Sequence, residues 1–145
     1  MSDATIEPRL LELIAPESVA YWTHLGIRVE SAERGHVRLS LEMRDELGTR
    51  LPGIMHGGAV GSLIDSAAGA ATSTLREADD ETWGGQATTD MNATFLAAAT
   101  GKVVAEATVL RSSRSFSFVQ VEVRAEDESL VAVGRATYTI IRKRS

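Results

Sequence analysis

The sequence predicts an α+β fold, with one long helix laid against one face of an antiparallel sheet. Three observations lead there. From Gly57 to about Leu75, Val60, Leu63, Ile64, Ala67 and Ala71 recur at helical spacing among residues that are mostly Gly, Ala, Ser and Thr. Before and after that stretch, apolar and polar residues alternate as they do in half-buried strands. No linker, internal repeat or low-complexity segment divides the 145 residues. The span 1–145 therefore reads as one domain, with a core from about 25 to 141 and an N-terminal helical segment, 7–22.

The elements follow in order. Leu10, Leu11, Leu13 and Ile14 form an apolar stripe broken at Pro16, which gives one or two short helices before Trp22. In "HVRLSLEM", Val37, Leu39, Leu41 and Met43 take one face and Arg38, Ser40 and Glu42 the other. The preceding "GIRVESAERG" fits a hairpin partner, turning near Glu33–Gly35. A loop with Pro52 leads into the small-residue helix, which has so little bulk that a curved sheet can enclose it. A polar loop, Arg76 to Gly85, comes next. Four strands close the chain as a meander: "QATTDMNATFL", "KVVAEATVL", "SFSFVQVEVRA" and "LVAVGRATYTII". In the third of them the alternation changes phase between Phe118 and Val119, which predicts a β-bulge there.

Composition narrows the functional classes. Apolar content of 43% and charged content of 24% are ordinary for a globular domain. The formal net charge of −5 argues against general nucleic-acid binding. With no cysteine, disulfides, thiolate metal sites and cysteine catalysis are excluded. The N-terminus lacks the pattern of a signal peptide, and no apolar run reaches the ~20 residues of a membrane span. The expectation is a cytoplasmic protein with no membrane partner. Phosphate-binding glycine loops, a dinucleotide fingerprint and HExxH are absent, and Ser62 is in no GxSxG elbow. His24, His36 and His56 are too scattered for a metal site, so no metal is expected. Asn92-Ala93-Thr94 matches a glycosylation sequon but falls inside a predicted strand.

What remains is the start of the helix and the acid within it. If Gly57 and Gly58 open the helix, their N–H groups lack intrahelical partners and carry the positive end of its dipole. Such an end suits a carbonyl oxygen that becomes an oxyanion. Asp65 lies about two turns after Gly58, ~10 Å further along the same face, too far to act on a carbonyl held there. A second copy of the helix, antiparallel across a two-fold axis, would bring Asp65 of one subunit to Gly57 of the other. A tight loop-to-helix turn would also explain the glycines, and a solvent-facing position would also explain the acid.

"HGGAVGSLIDSAAGAA", followed by "TTDMNATFLAAATGKVVAEATVLRSSRSFSFVQVEV" and "LVAVGRATYTI", resembles the hotdog-fold acyl-CoA thioesterases of the PaaI type, over about Leu25 to Ile141. The resemblance implies a central helix wrapped by about six strands. It also implies a homodimer with sites at the interface, often paired into a homotetramer, and hydrolysis of an acyl-CoA. It assigns carbonyl polarisation to the Gly57 N–H, attack or water activation to Asp65 of the other subunit, positioning to Thr88, and a place beside the thioester to His56. Gly58 joins the substrate-binding end. Relatives carry an amide where this chain has Arg50, and a cation there suits a phosphate or an acyl carboxylate. Arg111 and Arg114 are expected near the nucleotide, with Arg142, Lys143 and Arg144 as another basic candidate. Met55, Leu63 and Met91 are expected near the acyl group. No cofactor is implied beyond the coenzyme A of the substrate. A non-catalytic acyl-CoA sensor and a hotdog dehydratase share the fold; a sensor needs no carboxylate facing the thioester, and a dehydratase would pair a His with an acid for proton transfer, whereas the acid's position within the helix after HGG favours the thioesterase.

Overall fold

The computed structural model describes residues 6–144. Short helices α1 (Pro8–Ile14) and α2 (Ala20–Leu25) flank a 3-10 turn, Pro16–Ser18. The helical segment thus runs on to Leu25, three residues beyond the expected Trp22. Leu10 and Ile14 anchor α1 in the core, whereas Leu11 points outward at 42% exposure and does not belong to the buried stripe. Strands β1 (Arg28–Glu33) and β2 (His36–Glu42) form the expected hairpin, with Glu33 opposite His36 and Gly35 at φ +75° in the turn. Val37, Leu39 and Leu41 are buried, as the alternation requires.

Helix α3 (Gly57–Ser73) follows, ending two residues before the expected Leu75. It crosses the concave face of one six-stranded antiparallel sheet and contacts five of its strands. Leu63, Ile64, Ala67, Ala68, Ala70 and Ala71 are fully enclosed. Alanines on so many sides let the sheet wrap closely, and burial of these surfaces is the main force holding helix to sheet.

The remaining strands are β3 (Trp83–Phe95), β4 (Lys102–Ser112), β5 (Phe116–Ala125) and β6 (Leu130–Arg142), in the sheet order β1-β2-β4-β5-β6-β3. This is the hotdog fold, but the four closing strands are not a meander. Only β4, β5 and β6 are sequential neighbours; β3 pairs with β6 at the far edge. Between β2 and β3 the chain passes through α3, whose first residue Gly57 lies by Phe95 of β3 and whose end lies by the β1–β2 turn, where Thr74 Oγ1 accepts from the Gly35 N–H at 2.8 Å; the chain then re-enters the sheet beside β6. β3 also begins at Trp83, within the stretch expected to be loop.

The bulge falls elsewhere than the sequence suggests. Along β5, Ser117, Val119, Val121 and Val123 all point inward without a break. Phe116 and Phe118 face outward, stacked with centroids 6.4 Å apart. Ser117 can occupy the interior because its hydroxyl meets that of Thr72 on α3 at 3.1 Å. The extra residue is Leu110, on β4, where Val109 pairs with Val119 and Arg111 with Phe118.

Candidate active site

His56 caps α3. Its backbone is extended, and its Nδ1 accepts a hydrogen bond from the Gly58 N–H at 2.8 Å. An accepting Nδ1 places the neutral ring's proton on Nε2. Gly58 is required for this cap, because a Cβ there would stand 2.9 Å from Nδ1. The Gly57 N–H, by contrast, has no partner among the described residues. A Cβ at Gly57 would meet only the Phe95 ring, at an ordinary 3.6 Å. Packing among the described residues therefore leaves room for a side chain at this position, and its bareness exposes a donor at the positive helix end.

Two turns on, Asp65 is held by the sheet. Thr88 Oγ1 on β3 donates to Asp65 Oδ1 at 2.8 Å, so Thr88 and Asp65 of one chain meet directly. Tyr138 Oη on β6 lies 2.7 Å from the same Oδ1 and 2.7 Å from the Asp65 carbonyl oxygen. Thr88 and Tyr138 are cross-strand partners, and a bulge at Thr89 separates them from the next pair, Asp90 and Thr137. The bulge sits on an edge strand beside the site and aims Thr88 at the helix. Burial pushes the Tyr138 phenol well above its ordinary value; a Thr88 hydrogen bond opposes this and the Asp65 carboxylate adds to it. The phenol therefore stays protonated and donates.

Tyr138 was not among the residues expected to form the site. A signal for it existed: the alternation of "ATYTI" puts Ala136, Tyr138 and Ile140 on the buried face, and a buried phenol needs a hydrogen-bond partner.

Asp65, Thr88 and Tyr138 line a cavity of about 600 Å³ whose walls include Tyr21, Trp22 and Trp83. Its polar patches are satisfied locally, for example by Tyr21 Oη and Ser62 Oγ at 2.8 Å. Of the three residues expected at an acyl pocket, Met55 and Leu63 are core residues instead, 3% and 0% exposed. Met91 is exposed on β3 and lies over α3 beside Gly61. Arg50 and His56 share a second, open hollow with Leu51 and Ile54. Within one chain, then, the Asp65 cavity and the Gly57 end of the helix are not brought together. Arg111 and Arg114 are exposed at the β4–β5 turn. Arg142 is already engaged: it pairs with Asp80 at 2.7 Å and stacks over Trp83 at 5.2 Å. The described residues contain no cluster of side chains suited to a metal ion.

The thioesterase superfamily model matches residues 52–132, the stretch that holds the capped helix, Asp65 and Thr88. The chain belongs to the thioesterase superfamily. A Halobacterium salinarum relative named "Putative esterase" is 32% identical over 127 residues, covering 81% of this chain and 82% of its own length. The structure of a conserved protein from Pseudomonas aeruginosa is 33% identical, with a TM-score of 0.74 over 84% of this chain and 94% of that one. The PaaI protein of the E. coli phenylacetic acid degradation operon is 18% identical with a TM-score of 0.81, covering 94% of this chain and 96% of that one. That last likeness establishes the shared fold. Membership of the superfamily, with the esterase relative, supports hydrolysis of a thioester or ester bond as the general chemistry.

Proposed function

We propose that this chain is an acyl-CoA thioesterase that works as a homodimer, with each site built from both subunits. The observation that carries the reading is Asp65. A half-buried carboxylate, held by Thr88 at 2.8 Å, faces a cavity in the middle of a helix most of whose residues are buried. An acid in that setting needs a use.

In this reading the thioester carbonyl docks on the Gly57 N–H, where the helix end stabilises charge as it develops on oxygen. Asp65 of the other subunit supplies the attack, by direct addition or by taking a proton from water. Both routes need the same oxygen facing the carbonyl carbon. In either route the tetrahedral intermediate collapses to expel the thiolate of coenzyme A; attack by water gives the free acid directly, whereas direct addition leaves a mixed anhydride on Asp65 that a water then hydrolyses, releasing the acid and regenerating the carboxylate. His56 fixes the helix start and occupies Gly58, so that Gly57 alone stays open. Arg50, Arg111 and Arg114 supply cations for the phosphates of coenzyme A, with Met91 near the acyl chain.

The dimer has support in the sheet edge. β3 is an edge strand, and its residues 87–92 are all exposed. An uncovered edge of that length is a template for pairing with another strand. A second β3 would extend the sheet and bring two α3 helices together; two such dimers would give the tetramer.

The test is thiol release over a panel of acyl-CoA substrates, comparing the wild type with Asp65→Asn and Asp65→Ala. Hydrolysis by the wild type that collapses in both variants supports the reading. A wild type inactive on the whole panel, or an Asp65→Ala variant at full rate, refutes it.

A further inference from the structure

Tyr138 reaches Asp65 only because Gly69, one turn further along α3, has no side chain. A Cβ at Gly69 would stand 2.8 Å from the Tyr138 hydroxyl oxygen and 3.1 Å from the ring carbon that bears it. The gap thus opens a path for the hydroxyl itself. Through it the phenol joins Thr88 at one oxygen of the carboxylate, Oδ1, at 2.7 and 2.8 Å. Oδ2 has no hydrogen-bond partner among the described residues. The two donors come from neighbouring strands, β6 and β3, and approach the same atom from a rigid sheet. A carboxylate held in this way cannot turn freely about its terminal torsion, so the other oxygen keeps a fixed direction.

We infer that Tyr138 is a positioning residue for hydrolysis. With Thr88 it locks Asp65 Oδ1 and leaves Oδ2 as the oxygen that meets the thioester carbon or its water, and Gly69 is the space that admits it. The inference rests on the thioesterase reading above and adds to it which carboxylate oxygen reacts and what holds it. The hydroxyl has one hydrogen for two acceptors at 2.7 Å, Asp65 Oδ1 and the Asp65 carbonyl oxygen, and a tyrosine that served only the helix backbone would leave kcat unchanged on losing its O–H. High in its own titration range, the phenol remains a donor throughout the working pH of such an enzyme.

The experiment uses Tyr138→Phe, which keeps the ring and deletes only the O–H. The expected result is a kcat lower by about 10- to 100-fold with KM nearly unchanged, since a misdirected nucleophile costs rate rather than ground-state binding. Thr88→Val gives a loss of the same kind. Gly69→Ala pushes the hydroxyl off Asp65 and lowers kcat in the wild-type background. It adds little further loss in the Tyr138→Phe background, because the two changes act through one contact. Circular dichroism and thermal melts of each variant confirm a native fold, and if Gly69→Ala does not fold, Tyr138→Phe and Thr88→Val decide the matter. Wild-type kcat in a folded Tyr138→Phe variant overturns the positioning role and leaves the thioesterase reading standing. A wild type inactive on every acyl-CoA overturns both.

Discussion

At the first turn of α3 a donor is left open. Gly58 gives its N–H to the His56 ring at 2.8 Å, while the neighbouring Gly57 N–H has no partner among the described residues. Two turns later an acceptor is left open. Asp65 Oδ1 takes Thr88 and Tyr138, while Oδ2 takes neither. In both regions one of two equivalent atoms is tied down and its twin is bare. The bare atoms have opposite character: an N–H that can hold a developing oxyanion, and a carboxylate oxygen that can drive the attack. Acyl transfer needs both at one carbonyl. On a single helix they are ~12 Å apart along the axis, and Gly57 is not among the residues that line the Asp65 cavity. In the proposed mechanism these are two complementary half-sites on one chain, which a second chain would join.

The largest expected effect removes the acceptor half. Asp65→Asn keeps the shape and the partners but loses the charge, and kcat should fall by about 10²- to 10⁴-fold in a thiol-release assay. The next removes the donor half. Gly57 is the first helical residue and His56 before it is already extended, so proline fits there with little strain. Gly57→Pro removes the N–H and puts a pyrrolidine ring in its place, with the Cβ in ordinary contact with the Phe95 ring at 3.6 Å. We expect kcat to drop by about 10²- to 10³-fold while the melting temperature stays close to wild type. If activity survives Gly57→Pro, the open donor is not the oxyanion partner and the comparison fails at that end.

A smaller effect separates the two glycines. His56→Ala removes the cap and should cost about 1 kcal/mol of stability, read as a fall of about 2–4 °C in melting temperature. Its activity should fall less than that of Gly57→Pro, because Gly57 keeps its N–H. The smallest effect lies away from both half-sites and serves as a control. Asp80 is held down to about 2, chiefly by hydrogen bonds from the Thr82 side chain and backbone, with Arg142 adding to them. A depressed carboxyl stabilises the fold above its unfolded value of 3.8, and that contribution fades as pH falls from there towards 2. Urea titrations across this range should show the acid slope reduced in Asp80→Asn, with thiol release at neutral pH unchanged.

Much of this was readable from residues alone. The spacing of Val60, Leu63, Ile64, Ala67 and Ala71 marks α3 because a helix that packs on several sides leaves a dense apolar pattern. Asp65 stands out because it interrupts that pattern. Strand order was not readable: alternation states which face a residue takes, not which strand lies beside it, so β3 looked like a neighbour of β4. The outward Phe116 and Phe118 misled for a related reason. Side-chain hydrophobicity favoured the phenylalanines for the interior, and only the Thr72 hydroxyl waiting on α3 explains why Ser117 is there instead. Tyr138 was hidden by distance. Its link to Asp65 depends on the pairing of β6 with β3, the bulge at Thr89 and the missing side chain of Gly69, none of which is local in sequence.

The claim that two chains complete each other's sites is tested most directly by mixing two inactive variants, Asp65→Asn and Gly57→Pro. After unfolding and refolding together, a mixed dimer has one site with both defects and one site with neither. An equal mixture should recover about one quarter of wild-type thiol release, while each variant refolded alone stays inactive. If the mixture is as inactive as its components, Gly57 and Asp65 of the same chain serve the same site, and the account is wrong.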